Sequence, residues 1–390
     1  MMDGVEGAQR SGGPGSGQAT LWAAALDPAD RAALDPGVPT DLNRRPDVLV
    51  VGGGVAGLAT AVFCRRAELG SVLVVEAGRL AGAASGGAAG VLAPELHQLT
   101  DPPSFVTLAR SSLALHRRLD QEWDGALGLR WAPRLLLPDR PPAGLRPWPG
   151  VELLDGRQVA ELEPALAPVS GPGLLTVDQA QVHPLRLAAV LARRAGSVAT
   201  GVAMTGAATT GGRIATVHTT AGALHPGVVV FATGLAPLPW VRIPQRLVKG
   251  HLVATRPLAC RLRGGVHLPG LGVGPVPGGG LLAGGTRDEG DLSSAVRPEV
   301  VERIRRRLGE LLPAAQGVRL THRWCCFRPA TSDGQPVLDR VPGTDNAWVS
   351  AGHGGTGILL APAAGRALAT WIVTGQRPDE VAGLGLSRFG

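Results

Sequence analysis

The chain has 390 residues and a formal net charge of +7, with 44% hydrophobic and 18% charged residues. This balance is typical of a globular protein and excludes wholesale disorder, and the length corresponds to two or three domains of about 150 residues each. The 57 glycines and 33 prolines follow no three-residue period, which excludes collagen and predicts many turns or ligand loops. Tyrosine is absent, so no phenol can serve an active site.

The positive charge is scattered along the chain. Its densest run, the arginines between residues 303 and 307, falls in a predicted helix and is expected to be a solvated face, so we expect no nucleic-acid partner. The four cysteines form neither a disulfide framework nor a CxxC motif, which favours a cytoplasmic protein without a metal site. Apolar runs at 48–64 and 349–373 are interrupted by glycines or charged residues. We therefore expect buried strand–turn–helix units there and no integral membrane segment.

The predicted elements begin at residue 47. Residues 1–44 are rich in small and polar residues and predict a flexible extension, with at most a short helix near 21–34. Helices are predicted at 55–68, 103–124, 184–194, 298–312 and 356–373. Strands are predicted at 47–51, 71–75, 130–137, 173–177, 198–206, 213–219, 228–232, 247–255, 280–285, 319–328 and 346–350. Alternation at both ends with a strand-rich middle predicts an α/β fold, with one domain interrupted by a second, α+β domain.

The strongest motif is a glycine-rich turn between the first strand and the first helix. Its glycines are spaced Gly52-x-Gly54-x-x-Gly57, in which the first makes the turn, the second lets backbone approach a pyrophosphate and the third permits close helix packing. The next strand ends at Glu76, whose carboxylate can accept hydrogen bonds from ribose hydroxyls. The motif predicts a dinucleotide site on the helix N-terminus, built from Gly52, Gly54, Val55, Ala56, Gly57, Glu76 and Ala77.

Three further segments favour FAD over NAD. They are the small-residue loop at 84–92, the strand that leads into Thr233 and Gly234, and a second strand–glycine–helix junction at 352–358. The helix that starts at this junction would point its positive end at the flavin and stabilise the anionic reduced ring. The expected flavin contacts are Ser85, Ala89, Gly90, Val91, Thr233, Gly234, Gly352, Gly354, Gly355, Thr356, Gly357 and Ile358.

Together these segments resemble the D-amino-acid oxidase family of FAD-dependent oxidoreductases, most closely its glycine oxidase and sarcosine oxidase members. The resemblance covers residues 45–375 and includes the segments 182–187, 248–250, 284–286, 311–313, 324–336 and 352–362. It implies a discontinuous, Rossmann-like FAD-binding domain over 45–100, 170–240 and 325–378. It also implies an interleaved, sheet-based substrate domain over 101–169 and 241–324.

The resemblance further implies oxidation of the C–N bond of a small amino acid or secondary amine. A hydride would pass to the flavin, dioxygen would be reduced to hydrogen peroxide, and the imine product would hydrolyse. The implied partners are an amine or amino-acid substrate and dioxygen, and a homo-oligomer is compatible with the family. Two alternatives stay open: a flavin dehydrogenase that uses a carrier or tailors a secondary metabolite, and a flavin-binding protein that has lost catalysis.

Two residues are the candidate catalytic groups implied by the resemblance. Arg328 matches the arginine that clamps the substrate carboxylate in glycine oxidases, for which a guanidinium fork is suited; a structural arginine bonded to loop carbonyls is the alternative. His353 would lie beside the flavin and tune its N1 edge, or be a packed structural histidine. Glycine oxidases carry a second arginine where this chain has Gly355 and a tyrosine where we align Gly272. These departures favour a bulkier or secondary amine.

Cys326 aligns with the position that carries covalent flavin in sarcosine oxidases, whereas residues 327–329 follow the glycine oxidase pattern, whose flavin is not covalent. A thioether to FAD and a buried, unreactive thiol therefore remain alternatives. Lys249 is the only lysine, and the resemblance makes it a strand residue more than a catalyst. His251 follows it and would reach the substrate cavity if its side chain pointed there.

Overall fold

The structure is a computed structural model that describes residues 19–139, 150–169, 171–238 and 240–390. The α-helices of this part of the chain are α1 Leu21–Ala24, α2 Pro28–Ala33, α3 Val55–Arg66, α4 Ala84–Gly87, α5 Pro103–Glu122, α6 Gly156–Leu162, α7 Pro184–Ala192, α8 Pro298–Leu311 and α9 Gly357–Thr374. Its first strands are β1 Val48–Val51, β2 Val72–Glu76, β3 Val91–Leu92, β4 Arg130–Trp131, β5 Arg134–Leu136, β6 Val151–Leu154, β7 Gly173–Thr176, β8 Ala180–Gln181, β9 Ser197–Thr200 and β10 Met204–Thr210. The later strands are β11 Arg213–Thr219, β12 Gly222–Leu224, β13 Val228–Phe231, β14 Gln245–Thr255, β15 Gly265–Leu268, β16 Leu271–Pro275, β17 Leu281–Gly284, β18 Leu320–Thr331, β19 Val337–Arg340 and β20 Ala347–Ala351.

A six-stranded sheet forms the dinucleotide-binding half of the fold, in the order β19-β20-β13-β1-β2-β9. β1 pairs in parallel with both β2 and β13, and only the edge strand β19 runs antiparallel to its neighbour. All four residues of β1 are buried, as expected of a parallel strand covered on both faces. Helices α3, α7 and α9 cover one face, and the antiparallel sheet β10-β11-β12 covers the other. This arrangement confirms the predicted α/β fold.

Helix α9 lies against α3 at very short range. A Cβ on Gly365 would lie 2.8 Å from the carbonyl carbon of Ala59, so only glycine permits this approach. Among the described residues, α9 is the one helix long and apolar enough to cross a membrane, and 67% of it is buried inside the protein. This degree of burial is typical of a helix in a protein core.

An eight-stranded sheet forms the second half, in the order β18-β14-β17-β16-β15-β5-β7-β6. Helix α8 packs on one face with an apolar cluster that includes Ile304 and Leu308. Side chains alternate between the faces of a strand. In the antiparallel pair β14–β18, Val248 lies opposite Arg328 and Gly250 opposite Cys326, and these positions face away from α8.

The flexible extension expected over residues 1–44 is wrong for residues 19–44, although the helical structure expected near 21–34 is present as α1 and α2. Residues 1–18 lie outside the described residues. Helices α1 and α2 place Trp22, Leu26 and Leu34 in the core beside α7. The Trp22 indole donates a hydrogen bond to the Ala88 carbonyl at 2.8 Å. Each helix is too short to show a periodic pattern, and burial of scattered apolar residues holds the segment in place instead.

Three sequence-predicted boundaries also differ from the structure. The strand expected at 198–206 is two strands in different sheets, because Gly201 turns the chain at φ +73° between β9 and β10. Strand β7, expected to open the second FAD-binding segment at residue 170, pairs with β5 and β6 in the eight-stranded sheet. Strand β18 runs through the boundary expected at 325, since all of it pairs with β14.

Candidate active site

A cavity of about 260 Å³ lies where the two halves of the fold meet. It opens at the carboxyl ends of β1, β13 and β20, the usual ligand position in a parallel α/β sheet, and its other wall is the inner face of the eight-stranded sheet. The structure brings most of the sequence-predicted site residues together here. Those lining the cavity are Gly54, Val55, Ala56, Ser85, Ala89, Val91, Gly234, Cys326, Arg328, Gly352, His353, Gly354, Gly355, Gly357 and Ile358.

The other predicted residues lie outside the cavity lining: Gly52, Gly57, Glu76, Ala77, Gly90, Thr233 and Thr356. Ala77 is exposed beyond β2. Gly90 accepts a backbone hydrogen bond from Val182 at 2.9 Å. Thr233 borders a neighbouring pocket and donates its hydroxyl to a carbonyl three residues on, and Thr356 donates its hydroxyl to the His353 carbonyl at the start of α9.

The glycine-rich turn is packed as tightly as its sequence suggests. Gly52 has φ +113°, and a Cβ there would lie 2.3 Å from the Ala232 carbonyl oxygen. A Cβ on Gly57 would lie 2.0 Å from the Gly52 carbonyl oxygen. Gly52 and Gly57 therefore shape the turn through close backbone contacts. Of the three glycines of the motif, only Gly54 lines the cavity.

Two polar side chains hold the turn. The Glu76 carboxylate accepts hydrogen bonds from the backbone N–H of Gly53 at 2.7 Å and of Gly78 at 2.9 Å. The Ser85 hydroxyl accepts from the N–H of Val55, the first residue of α3, at 3.1 Å. Backbone N–H groups at a helix start attract anions. The turn is thus a preformed cradle for a phosphate, with a carboxylate at the end of β2 for a ribose.

The second glycine-rich junction joins β20 to α9 and meets β18. The N–H of Gly354 donates to the Pro329 carbonyl at 2.7 Å, which places His353 beside Ala330. The His353 Nε2 lies 2.9 Å from the Ser350 hydroxyl, whereas its Nδ1 is buried without a partner among the described residues. Burial lowers the pKa of His353 to about 4, so the imidazole is neutral at physiological pH.

Arg328 reaches the cavity from β18. Its Nη1 donates to the Thr286 carbonyl at 2.8 Å, and within the described ranges it has no carboxylate partner. Burial lowers the pKa of the guanidinium, which nevertheless keeps its charge at neutral pH. Arg328 is half-buried, and a cation that is partly removed from water without a counter-charge is stabilised when an anion joins it. The remaining donors of Arg328 therefore suit a ligand carboxylate.

Cys326 lies two residues before Arg328 on the same face of β18. Its thiol donates to the Gly87 carbonyl at 3.4 Å, and the Trp324 indole donates to the same oxygen at 3.0 Å. Burial raises the pKa of the Cys326 thiol, which disfavours the thiolate. All four cysteines lie within the described residues, and none of them forms a disulfide.

Lys249 and His251 lie on the opposite face of β14 from the cavity. The Lys249 ammonium is fully buried and pairs with Asp291 at 2.6 Å, and the His251 Nε2 accepts from the Arg297 N–H at 3.2 Å. The alternation of β14 explains this placement, since the residues on either side of Gly250 point toward α8. Lys249 is a structural residue, and His251 does not reach the substrate cavity.

Besides Ser350, which contacts His353, the sequence did not reveal three further polar residues of the cavity wall. Arg134 on β5, Gln181 on β8 and His267 on β15 all line it. The Arg134 Nη1 lies 3.2 Å from the His267 Nε2, and its Nη2 donates to the Ala180 carbonyl at 3.2 Å. An arginine inside the apolar run of a predicted strand was the one available signal for Arg134.

The residues present fit FAD. The tight glycine turn, the N-terminus of α3 and the Glu76 carboxylate suit the pyrophosphate and ribose. Small residues at 84–89 and the start of α9, both on the cavity wall, leave room for a flat ring next to a positive helix end. No cluster of three or more metal-ligating side chains occurs among the described residues.

Comparison with known proteins assigns the family. The family described as DAO, FAD dependent oxidoreductase, matches residues 47–371. The glycine oxidase of Pseudomonas putida is 28% identical over 362 residues, covering 85% of this chain and 95% of that protein, and the glycine oxidase of Pseudomonas aeruginosa is 30% identical over 357 residues, with the same two coverages. The solved structure of glycine oxidase from Geobacillus kaustophilus has a TM-score of 0.79 at 27% identity, covering 89% of this chain and 99% of that one. The predicted family and cofactor are thus confirmed: the chain belongs to the DAO family of FAD-dependent oxidoreductases.

Proposed function

We propose that this protein is an oxidase of a small amino acid or secondary amine, with glycine and sarcosine as the nearest substrate class. It converts the C–N bond to an imine and reduces dioxygen to hydrogen peroxide. Arg328 supports the proposal most directly, because it is a half-buried cation on the cavity wall without a carboxylate partner among the described residues. A guanidinium in that state favours a substrate carboxylate over an uncharged group.

The proposed mechanism divides the work between cofactor and protein. Bound FAD supplies the acceptor for the hydride that leaves the carbon next to the neutral amine, and dioxygen takes up the two electrons with two protons. Arg328 holds the carboxylate and so fixes the position of the adjacent carbon. His353 is neutral at physiological pH, so its role is to offer a hydrogen bond from the cavity wall and not to release a proton. The α9 N-terminus stabilises negative charge that develops nearby.

The substrate is expected to be larger than glycine. Gly355 stands where glycine oxidases carry a second arginine, and it is exposed at the cavity rim. Its missing side chain leaves room for a substituent on nitrogen or on the α-carbon. Four cysteines without a disulfide support a reducing cytoplasm as the location of the enzyme.

The test is an anaerobic half-reaction followed by reoxidation. The holoenzyme is mixed anaerobically with a panel of glycine, N-alkylglycines, both enantiomers of larger amino acids and simple amines, and flavin bleaching is followed by stopped flow. Air is then admitted, and the rate of reoxidation and the yield of peroxide are measured. The proposal predicts bleaching by a carboxylate-bearing amine, fast reoxidation in air and one peroxide per flavin.

Two results would contradict the proposal, and each would indicate a different function. Bleaching followed by slow reoxidation in air, accelerated by a quinone or a carrier protein, would make the protein a dehydrogenase. No bleaching by any member of the panel, in a protein with a full complement of FAD, would make it a flavin-binding protein that has lost catalysis.

A further inference from the structure

The cavity wall contains a second arginine, the buried Arg134, that the reaction described above does not use. Its side chain projects from β5, is 4% exposed and lines the same cavity as Arg328. It has no carboxylate partner among the described residues, and its Nε is buried without any hydrogen-bond partner there. A guanidinium in this state has an unmet demand for an anion or another acceptor.

The contact between Arg134 and His267 fixes the imidazole tautomer. An arginine has donors and no acceptor, so the His267 Nε2, 3.2 Å from the Arg134 Nη1, must accept. Burial, with Arg134 nearby, lowers the pKa of His267 to about 3, so the ring is neutral and its single proton is on Nδ1. Nδ1 has no hydrogen-bond partner among the described residues and is therefore an available donor.

Two glycines give this pair its space. A Cβ on Gly265 would lie 2.1 Å from the Arg134 Nη1, and a Cβ on Gly272 would lie 2.9 Å from the His267 Nδ1. Gly272 is the position that we align with a tyrosine of glycine oxidases. The His267 imidazole therefore lies beside the position that a tyrosine side chain would occupy. In this chain His267 supplies the polar group of that part of the cavity wall.

The pair is far from Arg328 along the sheet. β18 and β5 are separated by β14, β17, β16 and β15. Five strand spacings amount to about 24 Å between the backbones of the two strands, and the two long side chains shorten the gap between the guanidinium groups. Both side chains line one cavity, so each would hold a different end of a molecule long enough to reach both.

We propose that Arg134 and His267 form a second recognition site for an acidic group of the substrate, remote from the carboxylate that Arg328 holds. This inference rests on the proposed function and narrows it to amino acids or N-substituted amino acids that carry a second carboxylate, or a comparable anionic group, on an extended chain. Arg134 supplies the charge and His267 supplies one N–H donor, so the site favours an anion with two acceptor oxygens.

Binding of unreactive acids to the holoenzyme tests the inference independently of turnover. Dicarboxylates of increasing chain length and the monocarboxylates of equal length are titrated against the visible spectrum of the bound flavin. The expected result is a length at which the dicarboxylate binds about tenfold more tightly than its monocarboxylate partner, which corresponds to one charge-assisted hydrogen bond. Arg134→Gln should reduce this preference to about twofold without changing the Kd of monocarboxylates.

Arg130→Gln is the matched control, because Arg130 is an exposed arginine on β4, the strand that precedes β5 in the chain, and the one hydrogen bond of its side chain within the described residues is to the Pro275 carbonyl. This variant should keep the preference. Arg134→Lys retains the charge and should retain part of it, and His267→Leu should lose part of it. These two variants decide the question if Arg134→Gln does not fold.

Equal binding of dicarboxylates and monocarboxylates to the wild type at every length would overturn the inference. So would a weaker affinity of Arg134→Gln for FAD with equal losses for both acid series, since Arg134 would then serve the cofactor. If dicarboxylates are preferred but no amine bleaches the flavin, the proposed function fails while the second site stands. If amines bleach the flavin without a dicarboxylate preference, only the second site fails.

Discussion

Replacing Gly250 by alanine should displace the Arg328 guanidinium without unfolding the protein. A Cβ at this position would lie 2.3 Å from the Arg328 Nη2 and 2.7 Å from its Nη1. The neighbour is the end of a flexible side chain, so the guanidinium moves and the strand stays. Alanine in a strand is more favourable than glycine by about 0.5–1 kcal/mol, so the fold itself should lose little.

The size of the effect follows from the bonds that Arg328 would make. A hydrogen bond to a charged group contributes about 1.5–3 kcal/mol. Loss of one of the two bonds of a bidentate clamp therefore raises the Kd of a carboxylate substrate by about tenfold to a hundredfold. The Kd of an amine that lacks a carboxylate should not change.

The assay is anaerobic flavin reduction at a series of substrate concentrations, which separates Kd from the limiting rate. Gly206→Ala is the matched control, because Gly206 is a strand glycine in β10 whose Cβ would have no neighbour closer than 4.0 Å. An unchanged Kd in Gly250→Ala, or an equal rise in both variants, would refute the reasoning. A large drop in the melting temperature of Gly250→Ala would also refute it, because the strand would then have moved in place of the side chain.

Three other variants or treatments have definite expected outcomes. Trp22→Ala removes a buried indole and its bond to the carbonyl of Ala88, a residue of the cavity wall, so it should cost about 3–5 kcal/mol in denaturant unfolding and weaken FAD binding. Wild-type FAD affinity in Trp22→Ala would show that the Trp22–Ala88 bond does not help to shape the cavity. His116 is fully buried, and burial lowers its pKa to about 4 from 6.5. Between these pH values the unfolded state binds more protons than the folded state. The contribution of His116 to the free energy of unfolding is therefore complete above pH 6.5, and at pH 5 the free energy of unfolding is about 2 kcal/mol lower. Between pH 7 and pH 5, the melting temperature of His116→Gln should therefore fall less than that of the wild type. An equal fall in both proteins would show that burial does not lower the pKa of His116. Acid precipitation should release all of the flavin into the supernatant, because the buried Cys326 is held as a thiol; yellow colour retained in the washed pellet would instead indicate a covalent link.

Much of the FAD-binding half could be predicted from the sequence, because its elements are long and its patterns local. The apolar strand before Gly52 and the helix after it lie where the sequence predicts, within a few residues. Helix α9 and its glycine-rich start were equally clear. In each case the hydrophobic period and the turn residues agree, so no tertiary information was needed.

The substrate half was less predictable, and there the polar residues of the cavity were missed. Strands β15 and β16 were not predicted, because Gly265, Gly272 and Gly274 interrupt the alternation of apolar residues. His267 lies on one of these strands. Arg134 lies on a predicted strand, but the sequence alone does not indicate which face of that strand meets the cavity. Arg134 and His267 can be recognised as a pair only from the structure, in which β5 and β15 are neighbouring strands.

The measurement that tests the central claim most directly is flavin reduction by an amino acid and by the matching amine without the carboxylate, in wild type and in Arg328→Ala. We predict that the wild type binds the amino acid at least about tenfold more tightly than the amine, and that Arg328→Ala removes this difference by raising only the Kd of the amino acid. An Arg328→Ala enzyme that keeps the preference for the amino acid would contradict the account, because the carboxylate would then be held elsewhere.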